Sequence, residues 1–148
     1  MRKLATACAA LILLSACTSA DVKEKVDPTE VRGTVTFEEG LPAGVEPATN
    51  GGVGVGVTTD GTLQIITFGS SSNPMVVTEA TLEGTEIDVE LGNDKNKPST
   101  MDLVPTTSTV TFEGGLAEGK QFKVDIDDVG EITVGSNREL ISWIAPKK

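Results

Sequence analysis

From residue 31 onward, apolar and polar positions alternate with a period of two, in runs rich in Thr, Val, Ile and Phe that Gly, Pro, Asn and Asp interrupt. That period puts successive side chains on opposite faces of an extended chain, so each run predicts a strand with one buried face. Residues 31–38 set Val31, Gly33, Val35 and Phe37 against Thr34, Thr36 and Glu38. Residues 52–58 alternate Val53, Val55 and Val57 with Gly54 and Gly56, and Thr59-Asp60-Gly61-Thr62 then supplies an Asp-Gly turn into a partner strand at 63–68. A second hairpin is expected from 75–83 and 86–91 around Gly84, followed by strands at 107–113, 121–127 and 131–134. Residues 138–145 fit a last strand or a short helical turn. Alternation of Leu140, Ser142 and Ile144 with Ile141 and Trp143 favours the strand. Seven to nine short strands with no helical period predict an all-β chain, an antiparallel immunoglobulin-like β-sandwich, with a closed barrel as the alternative.

The first thirty residues follow other patterns. Arg2 and Lys3 precede an uncharged Ala-, Leu- and Ile-rich stretch over 4–14, shorter than the roughly 20 apolar residues that cross a bilayer. It ends in Leu14-Ser15-Ala16-Cys17, which resembles the bacterial lipobox: an apolar residue, two small ones, then the cysteine that receives lipid. The expectation is a signal segment over 1–16, cut before Cys17, with Cys17 lipidated and the protein held on the extracytoplasmic face of a bacterial membrane. Residues 20–28 carry Lys, Glu and Asp without apolar periodicity, so 17–30 reads as a flexible lipidated tether and 31–148 as the sandwich.

Charge and composition narrow the chemistry. Removal of 1–16 leaves 10 Lys and Arg against 22 Asp and Glu, a net charge of −12. Nucleic acid is excluded as a partner, because neutralising phosphates needs clustered cations. The same charge disfavours contact with anionic lipid, so the acyl chains must do the anchoring. There is no His or Tyr, and the two cysteines, Cys8 and Cys17, both fall outside the expected domain. An imidazole base, a thiol nucleophile and an ordinary zinc site are therefore missing, nothing calls for a cofactor, and the expectation is not an enzyme. Ser70-Ser71-Ser72 has no lysine at S-x-x-K spacing to activate a serine. At least three of the four Phe sit where a core strand wants them, which leaves few aromatics for a sugar platform.

Three further patterns invite a functional reading and favour a structural one. The alternating glycines around Val53 lie inside a strand, not in the turn before a helix that a nucleotide fingerprint requires, and suggest close approach by another segment. Glu86, Asp88 and Glu90 form one strand face opposite Ile87, Val89 and Leu91, a flat row unsuited to Ca²⁺. Asp125, Asp127 and Asp128, beside Gly130, could wrap an ion but lack EF-hand spacing, so no metal site is assigned. Finally, Thr34-Val35-Thr36-Phe37-Glu38-Glu39-Gly40-Leu41 recurs as Thr109-Val110-Thr111-Phe112-Glu113-Gly114-Gly115-Leu116, read as two similar strand-and-turn units in one sandwich.

Ile66-Thr67-Phe68-Gly69-Ser70-Ser71-Ser72-Asn73-Pro74 and, later, Ser99-Thr100-Met101-Asp102-Leu103-Val104-Pro105 resemble a group of small secreted actinobacterial proteins with T-W-G-S-S-S-C-P and C-T-x-D-x-x-P segments. The resemblance covers about a third of the chain. Asn73 and Ser99 stand where the group has cysteines, which implies a loop around Asn73 packed against one around Ser99, bridged there and unbridged here. It implies no activity. The function expected is a membrane-anchored, non-catalytic binding or accessory module of the cell envelope with a protein partner. The alternative is a metal or small-ligand sensor. Loops 69–74 and 92–98 would carry recognition.

Overall fold

In a computed structural model the structure describes residues 30–49, 51–135 and 140–145. Cys17 and Arg138 lie outside them. The described chain is all-β: ten strands and one 3-10 turn, with no α-helix. The strands are β1 (Glu30–Arg32), β2 (Thr34–Glu39), β3 (Val53–Val57), β4 (Leu63–Gly69), β5 (Val76–Glu83), β6 (Glu86–Gly92), β7 (Val104–Thr111), β8 (Phe122–Ile126), β9 (Gly130–Val134) and β10 (Ser142–Ile144). They form two five-stranded sheets, β1-β5-β6-β8-β9 and β10-β3-β4-β7-β2. Every pairing is antiparallel except β6 with β8, which is parallel.

Alternation explains how the sheets close on each other. Val55, Leu63, Ile65 and Val110 from one sheet and Ile87, Val124 and Ile126 from the other are wholly buried, and all belong to one core. Each such side chain stabilises the fold by roughly 1.5–3 kcal/mol relative to exposure. Glu86, Asp88 and Glu90 face solvent opposite buried Ile87 and Val89, as the pattern of that strand requires. Only Phe112 and Phe122 join the core. Phe37 is 58% exposed, and Phe68 lies on the face opposite Ile65, so the expectation of three core phenylalanines is corrected to two.

Gly33 splits the run at 31–38 and raises the strand count to ten. Before it β1 pairs with β5, and after it β2 pairs with β7 in the other sheet. A Cβ at Gly33 would stand 2.3 Å from a Val110 methyl and 3.1 Å from the Phe112 ring, so only glycine lets the backbone cross this close to the core. The repeated Thr-Val-Thr units are partners: Thr34 pairs with Thr111, Val35 with Val110 and Thr36 with Thr109. The echo is a strand laid against its own likeness, with both valines facing inward. Between β3 and β4 the Asp-Gly turn forms as expected. Thr58 N–H donates to the Thr62 carbonyl at 2.9 Å, and Gly61 takes φ +81°.

The glycines of β3 open a second, thinner apolar layer. Trp143 pairs with Gly54, and a Cβ there would lie 2.8 Å from the indole. At Gly56 it would lie 2.6 Å from the tip of Ile141 and 2.9 Å from the Leu140 carbonyl oxygen. The approach expected from the glycine pattern is therefore made by residues 140–144. Ile66, which lies outside the main core cluster, is wholly buried on this side. A Gly56→Ala change should push this segment off, because a backbone carbonyl cannot yield as a side-chain tip can. The expected cost is about 1–3 kcal/mol, with a red shift of Trp143 emission, and a wild-type melt and spectrum would contradict the close approach.

Candidate functional site

At one pole of the sandwich β3, β5 and β7 begin and β4, β6 and β8 end, and the loops 69–75 and 92–103 meet there. Asn73 is the pin between them. It is 5% exposed, its amide donates to the carbonyls of Asp94 (2.8 Å) and Lys97 (3.0 Å), and its oxygen accepts from Asp94 N–H (3.0 Å). The same amide lies 3.4 Å from Ser99 Oγ, so the structure brings together the two positions that the resemblance paired. Asn96 N–H closes the tip of the 92–98 loop onto the Asp94 carboxylate at 2.9 Å.

The serines expected in a polar loop bond the 99–102 segment. Ser70 Oγ accepts from Thr100 N–H at 2.7 Å, Ser72 Oγ donates to the Pro98 carbonyl at 3.0 Å, and Ser71 N–H donates to Asp102 at 3.3 Å. The Thr100 hydroxyl also donates to Asp102. Hydrogen bonds from Ser71 and Thr100 hold the Asp102 carboxyl down to about 2 from its ordinary 3.8. These groups stitch two loops.

Beside the stitched loops opens a cleft of about 610 Å³. Val53, Phe68, Met75, Leu91, Leu103 and Val129 supply its apolar wall, while Asp127 and Asp128 stand on its rim. The acids belong to the 3-10 turn Asp127–Val129 that ends β8, and the parallel pairing of β6 with β8 is what sets this turn beside Leu91. Leu103, at the mouth, is 72% exposed, and Met101, on the same stitched loop, is fully exposed. Phe68 reaches the cleft from the end of β4, and its ring centroid lies 6.1 Å from that of Trp143.

The acids named from the sequence fall in different places. Asp125 pairs across the sheet with Asp88 and with Glu131, on the outer face and away from the core, while Asp128 lines the cleft and Asp127 stands between the cleft and an outer-face groove that it shares with Asp88, Glu90 and Asp125. No three or more His, Cys, Asp or Glu converge to hold a metal ion among the described residues. On that outer face Lys123 binds Glu131 at 2.9 Å, which raises the lysine's pKa, and Arg32 binds Glu79 at 3.3 Å. Sequence reasoning placed recognition in loops 69–74 and 92–98 and missed the cleft beside them. Its signal was present: Met101 and Leu103 are apolar residues in a turn-rich segment, and Phe68 and Leu91 close their strands. Comparison with family models, with curated proteins and with solved structures finds no match to this chain.

Two outcomes test the stitched loops. With Asn73 and Ser99 both changed to Cys, a disulfide should form, and oxidised protein should exceed reduced protein in stability by about 3.5 kcal/mol for a closure across 26 residues. Against wild type the gain should be small, because the Asn73 bonds, at about 1 kcal/mol each, are lost. Failure to oxidise, followed by thiol titration, would overturn the proximity of the two loops. Asp102 gives a pH test. A carboxyl depressed in the folded state favours folding above its unfolded value of ~3.9, and that preference disappears as pH falls toward about 2. The Ser71 amide resonance should therefore titrate near pH 2 in wild type and not in Asp102→Asn; a midpoint near 4 would contradict the stitch.

Proposed function

We propose that this chain is a lipid-anchored, non-catalytic binding module on the extracytoplasmic face of a bacterial membrane, and that it holds its ligand in the pole cleft. The observation that supports this reading is the position of the cleft relative to the anchored end. β1 begins at Glu30, paired with Glu83 beside the turn that joins β5 to β6. The cleft lies where β5 starts and β6 ends, at the opposite pole. A strand of eight residues puts roughly 25 Å between the two. Residues 17–29 add a reach of at most ~45 Å. A lipid on Cys17 would thus hold the sandwich by one pole and leave the cleft at the other.

Charge supports the same arrangement. The outer face of the β5-β6-β8 sheet carries Glu79, Glu83, Glu86, Asp88, Glu90 and Asp125, against Arg32 and Lys123, which are ion-paired. Such a face is repelled by anionic lipid, which leaves attachment to the acyl chains. Between the two expected roles the cleft favours a small ligand over a protein partner. Its volume falls in the ~300–1,000 Å³ range of small-molecule sites. The outer face of the other sheet is in part covered by residues 140–144 of the chain itself. Cys17→Ser should release the protein from membranes or leave the precursor uncut. Processed Cys17→Ser protein that stays in the membrane pellet after a high-salt wash would overturn the anchor.

A further inference from the structure

We propose that the pole cleft selects a small cationic amphiphile, an apolar body ending in an ammonium or guanidinium group; this rests on the cleft being the binding site. The body lies against Val53, Met75, Leu91 and Val129, and the cation lies between the rim carboxylates of Asp127 and Asp128. The inference comes from the donors and acceptors of the wall. Among the described residues no Lys, Arg, Asn, Gln, Ser or Trp lines the cleft, and the one hydroxyl there, on Thr67, already donates to the Met75 carbonyl. An anionic ligand would meet two carboxylates and no uncommitted side-chain donor, at the cost of leaving its charge unpaired. A neutral apolar ligand would fill the wall and gain nothing from the rim.

The rim is free to bind. Asp127 accepts one hydrogen bond, from Asp128 N–H at 3.0 Å, and among the described residues no Lys or Arg pairs with either acid. Lys123, on the strand that leads into this turn, is engaged by Glu131 on the outer face. The ring of Phe68 and the thioether of Met75 add polarisable surface that favours a cation over an anion. At the mouth, a bound apolar body would cover Leu103, which is now 72% exposed. A molecule of this kind fits the volume of the cleft, about 610 Å³, whereas a folded partner would need ~800 Å² of contact on each side.

The test uses the full chain carrying Cys17→Ser and three probes of matched length below their micelle concentrations: octylamine, octanol and octanoate. Trp143 is the only Trp and there is no Tyr, so emission reports from beside Phe68 alone. Octylamine should shift that emission saturably. Octanol should bind about fivefold more weakly, and octanoate about 25-fold more weakly, if the two carboxylate–cation contacts together are worth ~1 kcal/mol and repulsion of an anion costs as much. Asp127→Asn with Asp128→Asn should weaken octylamine about five- to tenfold and leave octanol unchanged. Both acids are exposed, so the variant should keep its melt. Glu83→Gln with Glu86→Gln, on the outer face at the opposite pole, should leave all three affinities alone. Equal affinity for octanoate or octanol overturns the cationic selection while keeping the cleft as a site. An equal loss from the outer-face pair reduces the effect to net charge and overturns it too. No saturable binding by any probe, with the melt intact, overturns both the selection and the cleft reading on which it rests.

Discussion

Burial of branched side chains between two sheets has to hold this domain together without a crosslink, because both cysteines precede residue 18. The buried cluster contains eight Val and three Ile, whose stiff side chains fit a pleated surface and lose little rotamer freedom there. Two of its members set a condition on the backbone. Val110 and Phe112 crowd the point where the first strand leaves one sheet for the other, so that point must be glycine. The crossing ties the sheets covalently at a place where their faces are already in contact. A disulfide between sheets would do the same by constraining the unfolded chain. Here the constraint comes from the order of the strands, and its stability depends on the core staying dry.

A core of this kind stabilises the middle of the sandwich and does nothing for its ends. Strand ends leave backbone groups without ladder partners, and a pole built of loops must satisfy them some other way. At the pole where β1 begins, the turn between β3 and β4 does so with short side chains: the Thr58 hydroxyl accepts from Thr62 N–H at 3.1 Å and donates to Asp60. At the cleft pole, Asn73, Ser70, Ser72 and Asp102 serve two long loops at once. The bonds close the loops against each other rather than against the sheets. Phe68 and Leu91, where the sheets end, are left half-covered, and the cleft is the space that results.

The parts of the fold that were legible in the sequence are those decided locally. Period-two alternation found the strands to within a few residues, apart from the break at Gly33, since a slip of one would turn Ile87 and Val89 outward and Asp88 inward. The glycines of β3 announced a close neighbour because nothing else explains alternate absence of side chains in a buried strand. What was not legible depends on partners far apart in the chain. The parallel pairing of β6 with β8 has no local signal, yet it carries Asp127 and Asp128 to the cleft. Phe37 and Phe68 have the spacing of core residues. One ends up on the edge strand β2 and the other on the face opposite Ile65, and both outcomes are set by strand order. Gly33 looked like any strand glycine until the strands on either side of it were seen to belong to different sheets.

The same strand order separates charge from apolar surface along the molecule, and this bears on how a site could work beside a membrane. Acids on the outer face of β5, β6 and β8 lie between the poles, exposed and partly ion-paired, where they keep the sandwich solvated and off anionic lipid. Asp127 and Asp128 continue that line of acids by one turn, but the turn bends them over an apolar wall. A neighbouring membrane of anionic lipid concentrates small cations near its surface, within about a Debye length of ~8 Å. The cleft lies beyond that layer if the chain is anchored through residues 17–29, some 25 Å further out along the strands. A ligand reaching it would have left the lipid surface, and the apolar wall replaces the environment it left. The rim carboxylates replace the lipid charge in the same way. If the chain is anchored as proposed, the pole would offer an amphiphile both halves of a membrane interface at a distance from the membrane.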